Sequence, residues 1–333
     1  MATSPSPTRV WVLTDGKAGD EEPCRGVAEA LGFAPELRRV SPRPAFGWAM
    51  PWGPPDPAER PDRPTSPIRP PFPDLLIASG RRGVPYLRTV RRRSEGRTVT
   101  VFLRDPRTGP GTADLLWVPE HDRLRGPNVL VTLTSPHRLS PERLRAAAAA
   151  PDPRLAVLPS PRVAVLVGGN SRHARFTEAD IAGFTARLRR LLADGASLMI
   201  TPSRRTAPAL RLALADLSGP RAYLWDGTGP NPYPSMLALA EAVVATADSF
   251  NMIGEAAATG VPILVFEPSG NHPKLRRFLD GLRRHGAVHP FAGRLEGERY
   301  APLDSTPAVA RAVADLLARR RPDLAGPRPG DSA

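Results

Sequence analysis

A chain of 333 residues, 41% of them hydrophobic, has material for two packed cores rather than one, and its 42 prolines and 28 glycines announce long connections. The net charge is +13, but only Lys17 and Lys274 among the 46 basic residues are lysines, so the arginine excess reads as compositional bias as much as attraction to phosphates or lipid head groups. The single Cys24 excludes an internal disulfide framework and a cysteine-based structural zinc site, and no apolar run reaches membrane-spanning or signal-peptide length; the expectation is a cytoplasmic protein whose membrane contact is peripheral, on the inner face.

The first unit reads as strand, glycine loop and helix: Val10 to Leu13, then Asp15-Gly16-Lys17-Ala18-Gly19, then a helical pattern closing at Leu31-Gly32. Residues 41–73 are dense in proline with Phe46, Trp48, Met50 and Trp52 interspersed, and form either a loop packed on the first domain or a flexible insertion with a sticky face. Strands follow at Asp74 to Ala78, Thr98 to Leu103, Asp114 to Val118 and Asn128 to Thr132, with a basic helix from Val84 to Arg93. After a Pro-rich joint near Pro151 to Pro161 a second series opens at Val163 to Val167. It continues through Ser197 to Thr201, Ala222 to Trp225, Ala242 to Thr246 and Ile263 to Phe266, with helices between. This order predicts α/β architecture in two Rossmann-like domains facing each other across a cleft: residues 9–155 and 160–300, then a helix over 301–320 that crosses back and a disordered tail over 321–333.

In open parallel sheets ligands sit beyond the carboxyl ends of the strands. Three loops there carry candidate chemistry. Asp15, Gly16, Lys17 and Gly19 make the first, a turn with a compact charge that lacks the spacing of a nucleotide triphosphate loop; its alternative is a tight turn with a surface lysine. Gly168, Gly169, Asn170, Ser171 and Arg172 make the second, where backbone amides suit a diphosphate and Ser171 or Arg172 adds donors. The third runs from Asp248, with Asp248 or Ser249 fitting a helix N-cap and Glu255 about two turns on, where a carboxylate accepts from a ribose hydroxyl; Glu255 is otherwise an ordinary solvated helix residue. His121 and Asp122 past a first-domain strand suit acid/base work, or a polar loop. No metal is expected, since Glu120, His121 and Asp122 lack helical ligand spacing and the other histidines are scattered.

Six ordered segments together resemble the family of bacterial and plant mitochondrial fission, elongated-mitochondria proteins. They are Leu13-Thr14-Asp15-Gly16-Lys17-Ala18-Gly19, Pro73 to Arg82, Arg104-Asp105-Pro106-Arg107, Val118-Pro119-Glu120-His121-Asp122, Gly168-Gly169-Asn170-Ser171 and Thr246 to Ala256. That family in turn resembles glycosyltransferases of the B fold. The resemblance implies a phosphate loop at Gly168 to Ser171, Glu255 on the ribose, and an acceptor entering near Asp15, Lys17, Arg81, His121 and Asp122. The family pattern commonly carries a histidine where this chain has Asp20, which leaves His121 or Asp122 as the base. Plant members are implicated in recruiting a dynamin-related protein to the mitochondrial surface.

Two functions stand open. One is a metal-independent transfer of sugar from a nucleotide-sugar, a co-substrate rather than a resident cofactor, to an envelope-associated acceptor. The other is a non-catalytic scaffold that binds a protein partner or an anionic membrane. An exposed Trp48/Trp52 face favours the scaffold and its burial the enzyme. No specific nucleic-acid partner is expected, because the basic residues are spread rather than striped.

Overall fold

Short apolar runs bounded by glycine or proline form strands buried on both faces, as parallel sheets require. The structure is a computed structural model and describes residues 8–170, 174–270 and 273–324. The chain divides into two compact units, one of residues 1–138 with 305–333 and one of residues 139–304.

In the first unit the elements are β1 (Val10–Thr14), α1 (Ala18–Ala30), β2 (Glu36–Arg39), α2 (Pro44–Ala49), β3 (Leu75–Ala78), α3 (Gly83–Arg93), β4 (Val99–Leu103), β5 (Leu115–Pro119) and β6 (Val129–Thr132). All pairings are parallel, in the order β2-β1-β3-β4-β5-β6. Alternation along β1 serves two cores. Val10 and Val12 face a cluster with Cys24, Val27 and Ala28 of α1, while Trp11 and Leu13 face one with Val84, Leu87 and the proline-rich segment.

That segment is ordered. Met50 and Ile68 are fully buried and Phe46 and Phe72 pack partly against the core, whereas Trp48 and Trp52 are 84% and 66% exposed.

The second unit holds α4 (Pro141–Ala149), α5 (Pro153–Ala156), β7 (Arg162–Val167), α6 (Glu178–Ala193), β8 (Ser197–Pro202), α7 (Pro208–Ala215), β9 (Ala222–Leu224), α8 (Tyr233–Leu239), β10 (Ala242–Thr246), α9 (Phe250–Ala257), β11 (Ile263–Phe266), α10 (Pro273–Arg284) and β12 (Val288–Pro290). Its sheet is again parallel, ordered β12-β11-β10-β7-β8-β9. Val163, Val165 and Val167 pack with Phe184 and Leu188 of α6 and Leu210 and Leu214 of α7.

The last helix, α11 (Thr306–Arg320), belongs to the first unit, where Val309, Val313 and Leu316 join the cluster around Cys24. Beyond it, residues expected to be disordered are in part placed: Pro322–Leu324 form a short 3-10 turn and Arg321 pairs with Asp74 at 3.0 Å. Residues 325–333 lie outside the described residues.

Candidate functional site

Strand order locates the crevices. In the second sheet the chain starts in the middle with β7, proceeds outward through β8 and β9, then returns to the other side with β10. The loops after β7 and β10 therefore part at the point where the order reverses, where open α/β sheets take ligands. Gly168 and Gly169 follow β7, and Asp248 and Ser249 follow β10.

The two glycines are needed for close approach. A Cβ on Gly168 would stand 2.0 Å from Asp248 Oδ1, and one on Gly169 2.0 Å from the Arg205 carbonyl oxygen. Their amides point inward. The Gly168 N–H donates to Thr246 Oγ1 at 2.8 Å and the Gly169 N–H to Asp248 Oδ2 at 2.9 Å. The Thr246 hydroxyl donates in turn to Asp248 Oδ1 at 2.7 Å, and Arg205 Nη2 reaches Oδ2 at 3.2 Å. With its side chain 0% exposed, Asp248 is pushed above the ordinary aspartate pKa by burial, against the pull of Gly169, Thr246 and Arg205. Both glycine amides thus serve protein acceptors rather than standing open for a diphosphate. Asn170 is exposed, and its Oδ1 accepts from the Phe176 N–H at 2.9 Å; Ser171 and Arg172 lie outside the described residues.

Ser249, not Asp248, caps α9, its Oγ accepting from the Met252 N–H at 3.4 Å. Glu255 is half-buried on that helix, and Tyr233 at the start of α8 donates its hydroxyl to Glu255 Oε2 at 2.6 Å. Burial and the adjacent carboxylate push the Tyr233 hydroxyl well above its ordinary pKa, so it stays a donor. Arg205 and Tyr233 are not singled out in the sequence, and Thr246 figures there only as the first residue of the Thr246 to Ala256 segment. Nothing local marks Arg205 or Tyr233, because each comes from a loop or element far along the chain from the residue it meets.

In the first sheet the order reverses between β1 and β3, and the loops after those strands hold Asp15 to Lys17 and Ser79 to Arg82. The Asp15 side chain is 4% exposed. Its Oδ2 pairs with Lys17 and lies 3.8 Å from Arg82 Nη1, while its buried Oδ1 has no hydrogen-bond partner among the described residues. Gly16 is exposed with a positive φ, and Gly19 is exposed on the first turn of α1. Arg81 is exposed and donates to the Met50 carbonyl at 3.1 Å.

Asp20, read from the sequence only as the place of an absent histidine, is a buried carboxylate that accepts from Ser79 Oγ at 3.2 Å and pairs with Arg104 at 3.1 Å. Next to it Glu21 is buried and gripped by Arg39 through two bonds of 2.9 Å, which hold its carboxyl below the ordinary value.

His121 and Asp122 follow β5, half-buried and buried respectively. Three strand spacings separate β5 from β1, about 14 Å along the sheet edge. Among the described residues no group of three or more His, Cys, Asp or Glu is placed to hold a metal ion, and no helix is long and apolar enough to cross a membrane.

Two Rossmann-like domains, each with loops at its sheet's point of reversal, define a protein of glycosyltransferase-B-like fold. The chain belongs to the mitochondrial fission ELM1 family, whose profile matches residues 18–317. It is 31% identical over 277 residues to Mitochondrial fission protein ELM1 of Arabidopsis thaliana, a match spanning 74% of this chain and 65% of that protein's length. Among solved structures, a UDP-N-acetylglucosamine 2-epimerase superposes with a TM-score of 0.54 at 11% identity, covering 94% of this chain and 96% of that one. The UDP-GlcNAc 2-epimerase of Methanocaldococcus jannaschii gives 0.51 at 11% identity, covering 93% and 99%. At these identities the likeness speaks for the fold.

Proposed function

We propose that the second unit binds a nucleotide-sugar at the reversal between β7 and β10, and that the protein transfers the sugar to an envelope-associated acceptor taken by the first unit. The observation that carries this reading is the geometry of α9. Its capped N-terminus lies beside the glycine loop, and its Glu255 is oriented by a 2.6 Å bond from Tyr233, a carboxylate held in place as an acceptor for a ribose hydroxyl.

Diphosphate binding falls to groups outside the two glycine amides: Asn170, Ser171 and Arg172, the first turn of α9, and Arg205. Arginine and helix-end dipoles then carry the charge of the leaving diphosphate without a metal. The base is assigned to Asp122 or His121 after β5. Asp15 is the competing carboxylate, with a buried Oδ1 that has no partner among the described residues. The fold neighbours named for UDP-N-acetylglucosamine favour a uridine donor.

The scaffold reading has one specific observation on its side, the exposure of Trp48 and Trp52. A thermal-shift screen against UDP-, GDP-, CMP- and ADP-linked sugars separates the two, because a ligand of the native state raises apparent stability. The expected result is a rise with one nucleotide class that Glu255→Ala removes. No rise with any nucleotide at millimolar concentration overturns the transferase reading in favour of the scaffold.

A further inference from the structure

The proline-rich segment between β2 and β3 holds two indoles outward on a fixed frame. Its inner side is anchored by the fully buried Met50 and Ile68 and by Arg43, whose fork meets Asp56 at 2.6 and 2.9 Å and holds that carboxyl far below its ordinary range. Tyr86 of α3 adds a hydroxyl bond to Glu59. Trp48 on α2 and Trp52 just after it are nonetheless 84% and 66% exposed.

Leaving two such side chains in water is unfavourable unless something covers them. The segment offers no other exposed large apolar side chain. Two arginines of the loop after β3 lie against the segment. Arg81 donates to the carbonyl of Met50, between the two tryptophans in sequence, and the Arg82 guanidinium lies 3.6 Å from where a Cβ on Gly47 would sit.

We propose that Trp48 and Trp52, with Arg81 and Arg82, dock the first unit on an anionic lipid bilayer. Indoles favour the head-group layer, where the ring body is partly desolvated and the N–H still finds an acceptor. Arginine forks match lipid phosphates, and the net charge of +13 draws the whole chain to a negative surface. Arg81 and Arg82 also belong to the loop after β3, so docking sets the first unit's ligand-binding edge at head-group level. The inference rests on this segment and not on the catalytic reading.

The test is co-sedimentation of the full chain with vesicles of phosphatidylcholine alone and of phosphatidylcholine with phosphatidylglycerol in equal parts, at low and at physiological salt. Trp48→Ala/Trp52→Ala is compared with the parent chain. Both side chains are exposed, so the double variant keeps its melting temperature and any nucleotide-dependent thermal shift. Binding of the parent chain to the anionic vesicles is expected to weaken with salt and to fall about tenfold or more in the double variant. The parent's tryptophan emission shifts to the blue on anionic vesicles, and the variant's does not. Equal binding to neutral vesicles, unchanged binding by the double variant, or no binding at low salt each overturns the proposal. A nucleotide shift that survives any of those results leaves the donor site standing.

Discussion

Burying a carboxylate costs less when donors meet both oxygens, and Asp248 has three donors, from Gly169, Thr246 and Arg205. Asp248→Ala leaves the Gly169 amide and the Thr246 hydroxyl without their acceptor and is expected to cost roughly 1–3 kcal/mol in urea unfolding. Gly169→Ala forces a methyl into the Arg205 backbone and should destabilise by a similar or larger amount. Glu21 carries a pH signature of known sign. Its folded pKa lies below the ordinary 4.5, so its pairing stabilises the fold above that value and is lost as pH falls through the folded pKa. The stability gap between the parent chain and Glu21→Gln, roughly 1–2 kcal/mol at neutral pH, should therefore close as urea unfolding is repeated below pH 4.5. At this scale the sequence marks the glycines, Asp248 and Glu255 but not their partners. Asp248 reads equally well as an N-cap, and only the fold turns it under the glycine loop and leaves the cap to Ser249.

Among the elements, those that were legible are the ones with a strong period. The strands buried on both faces stand out as unbroken apolar runs, and α6 and α10 as amphipathic helices. The edge strands β2 and β12 were not legible. β2 is Glu-Leu-Arg-Arg, charged as an unpaired edge tends to be, and β12 is three residues ending in proline. The helix α2 hides among prolines that suggest loop, α4 falls between the last expected strand of the first domain and the joint without a reading of its own, and α5, with proline at its first position, reads as part of the joint. Two elements give direct tests. Val313→Ala in α11 removes two buried methyls from the cluster around Cys24 and is expected to cost about 1–3 kcal/mol, read as faster hydrogen exchange in β1 and α1 rather than in β7. Tyr233→Phe frees Glu255 from its donor, and nucleotide affinity should weaken several-fold with little change in melting temperature.

Over the whole molecule the proposed division of labour between two units predicts where a ligand leaves its mark. Hydrogen exchange with a nucleotide-sugar bound should slow in β7, β10 and α9 of the second unit, while β3 and the segment bearing Trp48 keep their rates. The reverse pattern would put the donor on the first unit. The two-domain plan was legible because strand, loop and helix repeat twice. The chemistry was less so, since a site assembled from several strand ends has no local sequence signature. One buried atom gives this architecture a practical use. The sole thiol, on Cys24, is fully buried, and burial beside Asp20 and Glu21 pushes its pKa well up, which makes it a poor nucleophile. The natural chain is therefore already close to a cysteine-free background. A surface cysteine introduced into each unit accepts a dye without competition, and the separation between the dyes can be followed directly as a nucleotide-sugar is added.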